Sequence, residues 1–239
     1  MKRDALLFEQ KESGECTCLT CARECRISEG GKGWCATRIV QDGRPYTLTY
    51  GEVSSCSISP IESEPVFHFL PGSKWLALGS VGCNFRCPGC HNWEVAHWKG
   101  GDLQTTFVPP DELVAQALAR GCRGITWAYN EPTLWLEYTL DCALLAKDAG
   151  LYTSYVTNGF LTWQSLEKLS PYLDVYRVDI KGFSDRTYQK FTSVKEWGTV
   201  LANTALAAQF GMHVEVITNV IPGVNDDLKE LEDLAAWIE

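Results

Sequence analysis

The stretch LALGSVGCNFRCPGCHNWEV, residues 76–95, decides how the rest of the chain is read. A strand-like apolar run, KWLALGSVG, enters a loop that carries Cys83, Cys87 and Cys90 in the spacing C-x3-C-x2-C, and the next cysteine, Cys122, belongs to a different element. Three thiolates with no neighbouring fourth leave one coordination position open. Soft thiolates select zinc or iron–sulfur, and an open position marks a reactive centre in place of a closed structural one. The set fits a 4Fe–4S cluster whose fourth iron is left to a substrate-like ligand. Plainer readings are a zinc knuckle completed by His91 or His97, and buried free thiols. Gly82 and Gly89 would let the backbone approach the centre closely.

Outward from this loop the chain alternates. PPDELVAQALARG reads as a helix, with Pro110 near its start, Asp111 and Glu112 in the first turn and Gly121 where a C-terminal cap belongs. GITWAY, YTSYVT, VYRVDI and HVEVITNVI read as strands, separated by LWLEYTLDCALLAKDAG, WQSLEKLSPY and WGTVLANTALAAQFG as helices, and NDDLKELEDLAAWIE as the last helix. With KWLALGSVG that makes five strands, and strands alternating with helices predict a parallel α/β sheet with right-handed crossovers.

In such sheets ligands gather at the carboxyl ends of the strands. That rule selects the cysteine loop, Tyr129-Asn130-Glu131-Pro132, Thr157-Asn158-Gly159, Asp179-Ile180-Lys181, and Asn219 with Pro222-Gly223. Each pair of this kind is ordinary turn chemistry taken singly. Five converging beside three cysteines point to a site.

The segment before Lys74 has a different texture. From Cys16 to about Pro71 it is rich in Cys, Gly, Ser and Pro, without a helix-length apolar period, so metal ligands more than a core are expected to hold its first half together. The expected division is a Cys-rich extension over 1–73 and a core over 74–239. Cys18, Cys21, Cys25 and Cys35 supply enough ligands for a closed site, either structural zinc or an auxiliary iron–sulfur cluster that relays electrons. Zinc is the preferred filling, because the ferredoxin-type run C-x2-C-x2-C is absent. Cys16 and Cys56 read as spectators, Cys122 and Cys142 as small core residues. His91 reads as packing or supporting the loop, and Trp93 and Trp98 as packed aromatics that could also floor a cleft.

The bulk properties narrow the function. Over 239 residues the formal charge is -9, which argues against a nucleic-acid surface built on Lys and Arg. No segment approaches the roughly 18 consecutive apolar residues of a membrane span, and the N-terminus carries no signal peptide, so a cytoplasmic protein is expected. Eleven cysteines in a reducing compartment fit metal binding better than disulfides.

The form CNFRCPGCHN at a first strand-to-helix loop resembles the radical S-adenosylmethionine (SAM) enzymes, in the branch of the pyruvate formate-lyase activating enzymes. CLTCARECRISEGGKGWCATR and YGEVSSCSISPIESEPVFHFLPGS resemble the radical SAM member of the AmmeMemoRadiSam system, so the resemblance covers nearly the whole chain. It implies a partial parallel (β/α) barrel, a 4Fe–4S cluster on Cys83, Cys87 and Cys90, and SAM chelating the fourth iron. It implies reductive cleavage of SAM to a 5'-deoxyadenosyl radical that abstracts hydrogen from a protein or small-molecule substrate. Asn130 and Glu131 stand where the family has Gly-Gly-Glu-Pro, and YNEP lacks both glycines. Asn158 matches an Asn-Gly, Asp179 and Lys181 an Asp-x-Lys near the SAM carboxylate, and the loop at Gly223 the segment passing the adenine. The implied partners are an electron donor such as flavodoxin or ferredoxin, with a glycyl-radical protein or Memo-like and AMMECR-type proteins. The rival from another class is a non-catalytic zinc-binding interaction module.

Six strand-helix units are usual in that family, against the five strands read here. The sequence therefore predicts a core lacking its last unit, a chain truncated after Glu239, and an open sheet edge at HVEVITNVI.

Overall fold

The computed structural model describes residues 1–11, 14–101 and 104–239. Its centre is a sheet built from β1 (Ser55–Pro60), β2 (Lys74–Gly79), β3 (Gly124–Trp127), β4 (Tyr152–Thr157), β5 (Val175–Asp179) and β6 (His213–Ile217), in the spatial order β6-β5-β4-β3-β2-β1. The five strands expected from the sequence all pair in parallel, as their helical crossovers require. The connecting helices are α1 (Pro110–Ala119), α2 (Leu136–Asp148), α3 (Trp163–Leu169), α4 (Asp185–Thr192), α5 (Gly198–Gln209) and α6 (Leu228–Ile238). The architecture is a partial α/β barrel. β6 lies at one edge, as expected, although it ends at Ile217, four residues before the end of the apolar run.

β1 is the strand the sequence reading did not separate. SCSISP lies inside the expected extension, yet it pairs antiparallel with β2 from Ser55↔Gly79 to Pro60↔Lys74. The helix α4 was also not anticipated; its two turns bury Thr187, Tyr188 and Phe191 behind a Ser184 cap.

The two sheet faces have different chemistry, because alternate residues point to opposite sides. Ile125, Trp127, Tyr155, Tyr176 and Val178 pack against Leu113, Leu136, Leu166 and Val200 in the main core. On the concave side Trp75 and Val175 join Ile61 and Val66 in a separate cluster at the amino ends of the strands. Gly124 is required there, since a Cβ would stand 2.3 Å from the Trp75 ring.

The N-terminal part has more of its own structure than expected. Phe8–Gln10, Cys16–Cys18 and Arg26–Ile27 form one antiparallel ladder, and Arg3–Asp4, Arg38–Gln41 and Arg44–Thr47 another. Cys16, Cys18, Ile27 and Val40 make a small core between them. The segment is bound to the barrel through buried groups: Arg38 donates to Glu137 at 2.6 Å and to the Leu134 carbonyl at 3.0 Å. Thr162 and Ser165 donate to the carbonyls of Leu19 (2.6 Å) and Thr20 (2.7 Å). Strands this short carry no readable period, and their partners lie far along the chain. Among the described residues no helix is long and apolar enough to cross a membrane.

Candidate metal and cofactor centre

β2 delivers the cysteine loop to the carboxyl end of the sheet, and the loop is braced from several sides. Gly82 donates to the Val95 carbonyl at 2.8 Å and sits at φ 87°, where a Cβ would meet Thr37 at 2.7 Å and the Cys35 carbonyl at 2.9 Å. Phe85 is buried against Phe160 and Tyr188, anchoring the loop by its apolar residue and leaving the thiols half-buried above it. Arg86 ties the turn by donating to the carbonyls of Cys83 (2.7 Å) and Phe85 (2.8 Å).

The donor set fits a thiolate-bound cluster. The Phe85 N–H points at Cys83 Sγ at 3.3 Å, and Asn158 Nδ2 lies 3.7 Å from the same sulfur, so charge on that sulfur meets two donors. Burial pushes the Cys87 thiol up to about 11, partly offset by the nearby Lys181 ammonium. Burial, and then Glu131, raise Cys83 well above the ordinary thiol value. With the Cys83 and Cys87 thiols raised in this way, metal binding there must release protons. Among the described residues no three His, Cys, Asp or Glu side chains close on a point that would hold a single ion.

Behind Cys83 the strand tips form one hydrogen-bonded network. Asn158 donates to Asn84 Oδ1 at 2.7 Å and accepts from the Phe160 N–H at 3.0 Å. Glu131 is only 2% exposed. Its carboxylate accepts from Thr133 N (3.0 Å), Thr157 Oγ1 (2.8 Å) and Asn158 N (2.9 Å), while burial raises its pKa. Asn130 braces the loop itself, accepting from Ser80 N at 3.0 Å and donating to the Gly82 carbonyl at 2.9 Å. Asn130 and Glu131 thus face inward to the backbone, and the half-buried pair Asp179–Lys181 (3.2 Å) is the charged group beside Cys87. Arg177 reaches the same oxygen, Asp179 Oδ2, at 2.8 Å. Gly223 stands apart on an exposed loop, its N–H engaged by Asp226 at 2.9 Å. His91 and Trp93 are exposed and Trp98 is half-buried.

The sequence reading passed over Asn84, Arg177 and Asn225. Asn225, 2% exposed, donates to the carbonyls of Lys181 and Asn219, both at 2.9 Å, and so ties the loop after β6 to the tip of β5. Its signal was the turn PGVND, read only for its glycine.

The Radical SAM superfamily model matches residues 78–238. The chain is 34% identical over 229 residues to the uncharacterized protein MJ0808 of Methanocaldococcus jannaschii, covering 96% of this chain and 68% of that protein. It is 29% identical over 167 residues to the putative glycyl-radical enzyme activating enzyme MJ1227 of the same organism, covering 66% of this chain and 65% of that one. To the isethionate sulfite-lyase activating enzyme of Nitratidesulfovibrio vulgaris it is 32% identical over 155 residues, covering 64% and 50%. The chain thus spans between 50% and 68% of the length of these relatives. The crystal structure of Streptococcus suis SuiB bound to S-adenosylmethionine shares the fold, with a TM-score of 0.53 at 13% identity over 66% of this chain and 36% of that one. The matched region runs from Leu78, near the end of β2, to Ile238, the end of α6.

Proposed function

Because the chain belongs to the radical SAM superfamily, enzymes that work with a 4Fe–4S cluster and S-adenosylmethionine, we propose that Cys83, Cys87 and Cys90 hold that cluster and that the open coordination position takes SAM. When bound, the two groups supply reductive cleavage of SAM to a 5'-deoxyadenosyl radical that abstracts hydrogen from the substrate. The observation that carries this reading is the placement of three thiols at the tip of β2 with Phe85 N–H and Asn158 Nδ2 directed at Cys83.

The chain's own residues divide the work. Lys181, held by Asp179, offers a charge-assisted donor to the SAM carboxylate. Glu131 acts on the site by fixing Asn158, whose amide then reaches Cys83 and Asn84. Asn130 holds the loop's first turn, and the backbone around Gly223 flanks the adenine side. The names of relatives such as MJ1227 and the pyruvate formate-lyase-activating enzyme of Clostridium pasteurianum favour a glycyl-radical protein as substrate; reductive cleavage then needs an external one-electron donor, of the flavodoxin or ferredoxin kind. Memo-like and AMMECR-type partners are the second reading, carried by the N-terminal motifs. The free thiols of all eleven cysteines suit a reducing cytoplasm.

Anaerobic reconstitution with iron and sulfide tests the proposal. The protein should gain broad visible absorption and release 5'-deoxyadenosine from SAM under dithionite, and Cys87→Ser should abolish the release. Undiminished SAM cleavage by Cys87→Ser would sink the assignment, and a colourless zinc-loaded chain would return the protein to a non-catalytic module.

A further inference from the structure

Four cations gather round one exposed ring beside the cysteine loop. The Arg23 guanidinium lies over Trp34 at 4.4 Å from the ring centre, and that of Arg86 lies 5.3 Å from the same centre. Lys32 Nζ stands 2.9 Å from where a Cβ on Gly100 would be, one residue from Lys99. Burial, then Arg86 and then Lys99 lower the pKa of His97, which places those two charges close together. Among the described residues none of the four cations forms a salt bridge, although Asp and Glu outnumber Lys and Arg in the chain by 30 to 21. Even Glu24, exposed and next to Arg23 in sequence, makes none.

Hydrogen bonds fix this group without cancelling its charge. Arg23 donates to the carbonyls of Asn84 (2.5 Å) and Ser193 (3.1 Å), and Arg86 donates to the Trp34 carbonyl at 2.9 Å besides its two bonds within the loop. Each of these acceptors is a neutral carbonyl, so a positive field remains toward solvent. Trp34 is 48% exposed at the centre, and Lys32 and Lys99 are exposed around it. The inner side of the same group touches the thiols. Arg86 lies between Cys83 and Cys87 in the loop, and Arg23 and Trp34 line the cavity that holds Cys18, Cys21, Cys25 and Cys35.

A fixed positive surface with an aromatic centre suits a partner whose facing surface is negative. Four cations on a chain of charge -9 are too few for a nucleic-acid track. They are enough for an electron-transfer encounter, which is small and transient and is accelerated by opposite charge. We propose that Arg23, Lys32, Arg86 and Lys99, set round Trp34, form the docking surface for an acidic one-electron carrier protein that delivers its electron to the loop of Cys83, Cys87 and Cys90. The purpose of the docking rests on the proposed function; the docking itself does not. In the step the carrier loses one electron and the cluster held by the loop gains it, with no atom transferred.

The test compares the reconstituted full chain with its Lys32→Glu/Lys99→Glu variant, using a strongly acidic flavodoxin as the probe. Dye-labelled oxidised flavodoxin should bind the unaltered chain at low salt, read by fluorescence anisotropy. The variant should bind about tenfold more weakly and with a flatter salt dependence. With reduced flavodoxin, 5'-deoxyadenosine release by the variant should slow about tenfold, whereas under dithionite, which needs no docking, it should match the unaltered protein. Absence of flavodoxin binding, or equal binding by both chains, would overturn the proposal. So would a loss of the same size in Lys74→Glu/Lys229→Glu, whose exposed lysines lie at the amino end of β2 and on α6, because net charge alone would then be responsible. A variant slowed equally under dithionite would place the two lysines in the loop's own chemistry and overturn the docking as well. Failure of the proposed function reads differently, as no 5'-deoxyadenosine from the unaltered chain under dithionite, and the binding comparison still decides the docking.

Discussion

Glu131 and Lys181 show how little the chemical type of a residue says about where its side chain turns. Both stand at strand tips, and both were read from the sequence as SAM contacts. Lys181 remains half-buried beside Cys87, whereas Glu131 is enclosed by three donors. The loop cysteines stood out because their spacing is that of a thiolate metal site. Asn84 did not, because its importance comes from Asn158 and Arg23, which are remote in sequence. Glu131→Ala should lower stability by about 2–3 kcal/mol, since hydrogen bonds to a charged acceptor are lost and buried donors are left unpaired. Urea unfolding would show it. Lys181→Ala should weaken SAM binding by about 1.5–3 kcal/mol without altering cluster content, measured by equilibrium titration of the reconstituted protein. The neutral thiol at Cys87 adds a pH dependence. A pKa raised to about 11 means that acidification opposes the thiolate form, so iron loading of the loop should weaken as pH falls and release protons into a weakly buffered solution.

At the scale of elements, the alternation of strand and helix was readable because the helices α1, α2, α5 and α6 run for 10 to 13 residues, long enough to show their period, and the strands between them carry β-branched and aromatic residues. β1 escaped because SCSISP is mostly half-buried or exposed and ends in proline. The N-terminal ladders escaped because strands of two to four residues have no period to read. Their attachment to α2 through Arg38 and Glu137 can be tested directly. Arg38→Met alone should cost about 3–5 kcal/mol by stranding the Glu137 carboxylate in the interior, and pairing it with Glu137→Leu should recover most of that loss. A double-mutant cycle in thermal unfolding measures the coupling.

Across the whole molecule, the segment from Ile61 to Ser73 closes the amino ends of the strands, and Glu215 on β6 fastens it. That carboxylate accepts from Phe67 N–H (2.9 Å) and His68 N–H (2.8 Å), with His213 Nε2 also at 2.9 Å. Burial alone would raise its pKa, but these donors hold it below the ordinary glutamate value. A carboxyl depressed in the folded state stabilises above the ordinary value of about 4.3, and that contribution is lost as pH falls through the folded pKa. Stability should therefore decline on acidification below about pH 4.3, and Glu215→Gln should flatten that decline in a pH series of thermal midpoints.

The buried link between Arg38 and Glu137 also orders events in time. The two residues lie 99 positions apart, and the walls that enclose the four N-terminal thiols include Leu134 and Asn84. A ribosome makes those thiols early and the wall late, so through much of translation they stand open to solvent, reachable by oxidants and by iron carriers alike. A metal bound by those thiols would load most easily on the nascent chain. Once α2 docks, the same contacts that shield a correctly filled site would also seal in a wrong metal.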